Sequence, residues 1–328
     1  MDVGLIAPKG EEGKTAAPKP TQKVIILVPG MHRSGTSAIA GTLNLLGVSI
    51  PGALMPPTDD NKRGYFENTR IVAWHDKLLE QLKSRWEDPL PLREGSLRSP
   101  PVRSAAAHEL AALFRQEFGD EPMVLVKDPR LCRLLPVWFD AFSGGDRDLF
   151  SVVPVRHPFE VATSLQRRDS LPRAHALALW LHHVLAAEHA SRGLDRCFVT
   201  YDDLLQDWRS VVHKIAGTLG LTWPRESIRV ADEIDEFLSS ELRHHRWAKG
   251  ALLAHDALDS LCLRAWSALK LLCADNTDES ARARLDEIAF ERDSALGILG
   301  PLVASLDGNL VQTRRQLAER DRQIENLT

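Results

Sequence analysis

The chain has 328 residues, 44% of them hydrophobic and 26% charged, which suits an ordinary globular protein with one large core or a core and a smaller appendage. Its formal net charge of −4 provides no overall basic field and argues against bulk nucleic-acid binding. Four scattered cysteines without a C-x-x-C pair (Cys132, Cys197, Cys262 and Cys273) argue against a zinc knuckle or redox dithiol; with no apolar run near the ~20 residues that span a bilayer and no signal-peptide core, they lead us to expect a cytoplasmic protein.

In chain order, residues 1 to about 22 are rich in Lys, Pro, Ala and Gly and read as a disordered lead-in. "KVIILV" is a run of β-branched and aliphatic residues, the composition of a strand buried on both faces. It leads into "VPGMHRSGTSAIAG", Val28 to Gly41. Gly30 and Gly35 have the G-x-x-x-x-G spacing of a phosphate-cradling loop, but the lysine that should follow is missing. Thr36 and Ser37 follow instead, and the only cation in the loop is Arg33. "TSAIAGTLNLLG" then has helical spacing at Ile39, Leu43 and Leu46, with Gly47 placed to end the helix.

Three further apolar runs are predicted strands, each followed at once by unusual polar residues. "MVLV" precedes Lys127, Asp128, Pro129 and Arg130; "LFSVVPV" precedes Arg156, His157 and Pro158; "CFVT" precedes Tyr201, Asp202 and Asp203. Helical patterns separate them at roughly 68–83, 104–118, 158–168, 174–192 and 208–219. Alternation of this kind predicts an α/β fold, a P-loop-like parallel sheet flanked by helices, with ligands in the crevice beyond the carboxyl ends of the strands. We expect this domain to cover 23–250. A helical extension follows over 251–300, a break is expected at Gly300 and Pro301, and a last helix occupies 301–328. In that helix Leu310, Leu317 and Ile324 recur every seven residues beside Leu306 and Leu327, while Thr313 and Arg320 interrupt the second track. This predicts either a coiled coil, serving self-association or a downstream domain, or a solvated helix docked on the core.

A glycine loop opening a helix presents unpaired backbone N–H groups and the positive end of the helix dipole. Thr36 and Ser37 add hydroxyl donors and Arg33 a planar fork suited to oxyanions. A kinase would need the missing lysine and a carboxylate for magnesium, so the loop suits an anion without a long phosphate tail. The remaining alternatives are a P-loop kinase or NTPase-like protein and a non-catalytic nucleotide-binding scaffold.

"HRSGTS", His32 to Ser37, resembles the P-K/R-S-G-T-[ST] element with which sulfotransferases hold the 5′-phosphosulfate of 3′-phosphoadenosine 5′-phosphosulfate (PAPS). "RHPFEVATS" is similar to that family's second signature, an Arg followed eight residues later by a Ser, here Arg156 and Ser164. "YDDLL" resembles a third segment whose tyrosine lies near the adenine, here Tyr201. The resemblance covers roughly Lys23 to Leu221. It implies donor binding by Arg33, Ser34, Gly35, Thr36, Ser37, Arg156, Ser164 and Tyr201, release of adenosine 3′,5′-bisphosphate, and no metal. It also implies in-line sulfuryl transfer to a hydroxyl of a carbohydrate or glycolipid, with Arg33 and Lys127 as cations on the transferred group.

The general base is less directly written. "KDPRLCRLLP" is similar to a segment in which cytosolic sulfotransferases carry a catalytic histidine, but Pro129 stands in its place. Carbohydrate and protein-tyrosine sulfotransferases use a carboxylate after the phosphosulfate loop, which points to Glu67 in "NKRGYFENTRIVAWHDKLL". Glu67 could equally be a helix-start charge. Asp128 is the second candidate, and His75 reads as a packed core histidine. His182, His183, His244 and His245 lack metal-ligand spacing. Trp74, Trp86, Tyr65 and Phe66 could stack on sugar rings, and the basic residues Arg243, Arg246 and Lys249 are candidates to approach the cofactor phosphates.

Overall fold

The computed structural model describes residues 23–58, 61, 63–92, 97, 99–238 and 256–325. The expected lead-in over 1–22 and the basic cluster of Arg243, His244, His245, Arg246 and Lys249 lie outside them. In chain order the elements are β1 (Lys23–Val28), α1 (Thr36–Leu45), α2 (Thr69–Gln81), α3 (Pro100–Phe118), β2 (Met123–Lys127), α4 (Leu131–Phe142), β3 (Arg147–Val155), α5 (Pro158–Asp169), α6 (Arg173–Ala190), β4 (Asp195–Thr200), α7 (Tyr201–Gln206), α8 (Trp208–Leu219), α9 (Ile228–Phe237), α10 (Ala257–Ala274) and α11 (Glu279–Glu325).

The four strands form one all-parallel sheet in the order β2-β1-β3-β4, flanked by helices on both faces. Strand geometry sends alternate side chains to opposite faces. Val24, Ile26 and Val28 therefore pack with α1, α8 and α9, while Ile25 and Leu27 pack with α2, α3 and α4. Burial on both faces explains why the strands read as unbroken apolar runs.

Two elements differ from the sequence expectation. The segment "LCRLLPVWFDAF" forms α4 despite Pro136 in its interior. Leu131, Leu134, Leu135 and Trp138 make one buried stripe at helical spacing, and packing outweighs the hydrogen bond that proline removes. The expected break at Gly300 and Pro301 is likewise absent, because α11 runs unbroken through both. A single proline costs one backbone bond, whereas helix-forming Ala, Leu, Gln, Arg and Glu dominate on either side.

The helices after residue 256 are part of the main core. Cys262, Ala265, Ala268, Leu269 and Leu272 of α10, with Ala281, Leu285 and Ile288 of α11, are buried in the cluster that contains Val153, Val155 and Phe198. All four cysteines are unpaired thiols. No helix among the described residues is long and apolar enough to cross a membrane.

Candidate active site

The strands all point one way, so the residues after β1, β2, β3 and β4 meet at one edge. The strand that follows β1 in sequence pairs on one side of it and β3 on the other. That is the switch point where such sheets open a crevice. Val28 of β1 lies level with Lys127 of β2, while β3 continues to Val155.

The loop after β1 is folded tightly over β3. A Cβ at Gly30 would come within 2.7 Å of the Thr36 methyl and 3.4 Å of Pro154. Ser34 N–H donates back to the Met31 carbonyl at 3.1 Å. Arg33 has φ 67° and Gly35 φ 89°, and a Cβ at Gly35 would overlap the Tyr201 ring. A non-glycine residue in the left-handed region is strained. α1 then starts at Thr36 with no side-chain cap, whereas Asn68 caps α2 and Thr200 caps α7. The orphan first-turn amides of α1 thus lie where an anion would complete them. Ser34 is buried, and its Oγ has no hydrogen-bond partner among the described residues. Thr36 is buried, and Ser37 Oγ accepts from Asn61 Nδ2 at 3.4 Å.

Arg156, at the end of β3, is held from several sides. Its Nε donates to Glu160 Oε2 at 2.8 Å, its Nη1 to the Arg33 carbonyl at 3.2 Å, and its guanidinium lies 4.6 Å from the Tyr201 ring centre. Trp180 Nε1 fixes the Arg156 carbonyl at 3.1 Å. Pro158 opens α5, and two turns along it Ser164 Oγ accepts from Arg33 Nε at 2.8 Å. Arg33, Arg156, Ser164 and Tyr201 thus form one cluster beside Gly35. Burial raises the Tyr201 phenol pKa, opposed by Arg156 and Arg33.

Across the crevice, residues 53–55 run beside 67–69: Met55 N–H donates to the Glu67 carbonyl at 2.8 Å and Thr69 N–H to the Ala53 carbonyl at 2.9 Å. Phe66 takes φ 56° while its ring meets Phe237 edge-on at 5.8 Å. That bend turns Glu67 toward the sheet, where its Oε1 accepts from the Lys127 ammonium. Both residues are buried, each 3% exposed. Asn68, not Glu67, caps α2, accepting from Arg70 and Ile71 N–H at 3.0 Å each. Burial raises the Glu67 pKa, with Lys127 pulling it back. Among the described residues Oε1 is the Glu67 oxygen that is bonded, and Oε2 makes no hydrogen bond.

Asp128 is fully buried with both oxygens engaged. Oδ1 accepts from Arg130 N at 2.9 Å and Nη1 at 3.0 Å; Oδ2 accepts from His75 Nδ1 at 2.7 Å. Trp138 Nε1 donates to His75 Nε2 at 2.9 Å, so the proton of the imidazole sits on Nδ1. Although burial opposes ionisation, Arg130 and His75 together hold the Asp128 pKa well below the usual carboxylate range. This set ties both Asp128 oxygens to Arg130 and His75 within the protein interior, and Trp138 and Asp128 hold both ring nitrogens of His75.

Of the four candidate stacking aromatics, Trp86 places its ring beside the anion loop, 4.4 Å from that of His32, while Tyr65 meets the loop through its backbone carbonyl, which accepts from Ser37 Oγ at 3.5 Å. Trp74 donates to Glu109 of α3 at 3.4 Å, Tyr65 bonds Thr58 at 2.5 Å, and Phe66 packs on Phe237. Arg133 holds the Trp86 segment by donating to the carbonyls of Arg85, Asp88 and Leu90 at 2.9, 2.7 and 2.8 Å. Arg133 and His32 lie inside the quoted motifs but carried no assigned role there, since their contacts are with residues distant in sequence. His32 Nε2 is buried without a partner among the described residues, and burial drives its pKa well below the ordinary value. His182 and His183 are buried in α6, the latter lowered to about 3 by burial. Among the described residues no group of three His, Cys, Asp or Glu could hold a metal ion.

No family model and no curated protein matches the chain. Among solved structures it is similar to the sulfotransferase domain of the Synechococcus olefin synthase, at 18% identity over 79% of this chain and 98% of that one, with a TM-score of 0.44. The sulfotransferase domain from the curacin biosynthetic pathway is similar at 12% identity, covering 75% and 97%, with a TM-score of 0.40. A mouse sulfotransferase complexed with PAP is similar at 15% identity, covering 83% and 90%, with a TM-score of 0.33. Likenesses of this depth say nothing by themselves about chemistry.

Proposed function

We propose that the chain is a sulfotransferase that moves a sulfuryl group from PAPS to a carbohydrate hydroxyl. The observation that carries this reading is the convergence of Arg33, Arg156, Ser164 and Tyr201 beside the uncapped start of α1. The buried, unpartnered Ser34 hydroxyl fits the same anion.

PAPS supplies the transferable sulfuryl group and a phosphate leaving group. The α1 amides, Ser34, Thr36 and Ser37 hold the 5′-phosphosulfate end, with Arg33 drawing off charge that builds on the oxygens. Arg156 and Ser164 bind the 3′-phosphate, and Tyr201 bounds the nucleoside. Glu67 is the base: its unbonded Oε2 takes the proton as the acceptor oxygen forms its bond to sulfur and the bond from sulfur to the phosphate oxygen breaks. Lys127 keeps that carboxylate aimed and offsets developing negative charge. Catalysis is then positioning and electrostatics, as in phosphoryl transfer. Trp86 offers the acceptor sugar an aromatic surface beside the loop.

Calorimetric titration with adenosine 3′,5′-bisphosphate, adenosine 5′-phosphate and ATP tests the reading. Clear preference for the bisphosphate is expected. Equal affinity for the two adenosine phosphates, or tighter magnesium-dependent binding of ATP, overturns it in favour of an NTPase-like protein.

A further inference from the structure

The segment after α2 takes much of its shape from side chains. Lys83 has φ 56° and turns the chain out of the helix. Asp88 then closes the segment on itself, Oδ2 accepting from Ser84 Oγ at 2.8 Å and Oδ1 from Leu90 N–H at 3.0 Å. The carbonyls of such an irregular stretch need donors from elsewhere. Arg133 of α4 reaches three of them with one guanidinium, those of Arg85, Asp88 and Leu90, and His175 of α6 donates to a fourth, that of Glu87, at 2.8 Å.

Arginine is a costly residue for that task. The Arg133 side chain is fully buried, and its Nε has no partner among the described residues. Asp88 Oδ2 is the carboxylate oxygen near it there, at 3.8 Å. Burying a cation without a close counter-charge is unfavourable, and an apolar residue of similar volume often packs as well or better. Stability alone does not call for an arginine here.

What the three bonds fix is the place of Trp86. Its ring stands 4.4 Å from His32 in the anion loop, with the Arg168 guanidinium 5.8 Å from its centre. Lys127, the partner of Glu67, ends β2, and Arg133 lies in the first turn of α4 that follows. One short strand-to-helix unit therefore carries both the partner of the proposed base and the tether of the Trp86 segment.

We propose that Arg133 is a positioning residue for the acceptor: it holds Trp86 in a fixed place relative to the Glu67–Lys127 pair, so that a pyranose lying on the indole meets the base without first ordering the segment. This rests on the sulfotransferase reading with Trp86 in the acceptor subsite. A segment ordered in advance spares acceptor binding that entropy. Losing the tether should therefore weaken binding of the acceptor and leave the chemical step, once the acceptor is bound, little changed.

The test is steady-state transfer from PAPS to a panel of p-nitrophenyl glycopyranosides, continued with the best acceptor among them. Arg133→Met keeps most of the buried volume and none of the donors. It should raise the acceptor KM about tenfold or more, with kcat within about threefold of wild type and bisphosphate affinity unchanged. Trp86→Leu should raise KM by the same factor, and Arg133→Met in that background should add nothing further, a coupling that a general loss of stability does not produce. Arg133→Lys should behave like Arg133→Met, because a point ammonium cannot span three carbonyls as the planar fork does, and it carries the test if the methionine variant does not fold. An unchanged KM, additive effects of the two changes, or a matching loss of bisphosphate affinity overturns the positioning role and leaves the functional reading standing. Transfer to no glycoside of the panel, with the bisphosphate still preferred, overturns the carbohydrate acceptor and this proposal together.

Discussion

Arg33 Nε donates to Ser164 Oγ at 2.8 Å, joining the loop after β1 to the second turn of α5 across 131 positions of sequence. The Arg33 carbonyl in turn accepts from Arg156. Two residues assigned to opposite ends of one nucleotide are therefore already braced against each other.

Arg156→Ala should remove most of the preference for adenosine 3′,5′-bisphosphate over adenosine 5′-phosphate. Hydrogen bonds to charged groups are worth about 1.5–3 kcal/mol each, so a loss on the order of 10- to 100-fold in bisphosphate affinity is expected. Binding of the 5′-phosphate should change far less. Comparable losses for both nucleotides would show that Arg156 supports the loop rather than the 3′-phosphate.

Glu67→Gln keeps size and polarity but cannot take a proton, so kcat should fall about 10²–10⁴-fold with donor affinity little changed. EDTA should have no effect on wild-type turnover. Burial raises the Glu67 pKa and the base must be ionised, so activity should fall with decreasing pH through a value above the ~4.3 of an ordinary glutamate. On stability the sign is the reverse: the folded chain holds that proton more tightly, so Glu67 favours folding more as pH decreases. An acid limb at the ordinary carboxylate value, or near-normal turnover in Glu67→Gln, would remove Glu67 from the chemistry.

Asp128→Asn should act on stability. Asn presents one acceptor where Asp128 serves the His75 N–H and the Arg130 donors together, and breaking such a buried charged set costs about 3–5 kcal/mol. Because its folded pKa is depressed, Asp128 contributes stability above about pH 3.9 and loses it as pH falls below that toward the folded value. Urea unfolding at pH 7 and pH 3 measures both effects. A variant of normal stability with no turnover would make Asp128 the base instead.

Gly35→Ala should strip the loop of its nucleotide. The added methyl overlaps the Tyr201 ring, and φ 89° disfavours any side chain, a strain of about 1–3 kcal/mol. Titration should show bisphosphate affinity reduced at least tenfold; unchanged affinity would mean that the loop and Tyr201 do not share the ligand.

Local pattern alone was enough for the scaffold. The four apolar runs became β1 to β4 because strands buried on both faces need unbroken aliphatic sequence, and Gly30, Gly35 and Gly47 marked turns that other residues fit poorly. Arg33, Arg156 and Ser164 were singled out by motif resemblance, and the fold brings the three side chains together. Tertiary structure decided what those positions touch. Glu67 finds Lys127 60 residues away, and its raised pKa comes from burial that no spacing encodes. Asp128 looked equivalent in sequence, yet His75 and Arg130 take both of its oxygens. α4 keeps its proline because the sheet pays in buried leucine and tryptophan, a term that exists only once the layers have met. Strand and turn identity follow from a few neighbouring residues; protonation and side-chain partnership follow from which distant residues burial brings together.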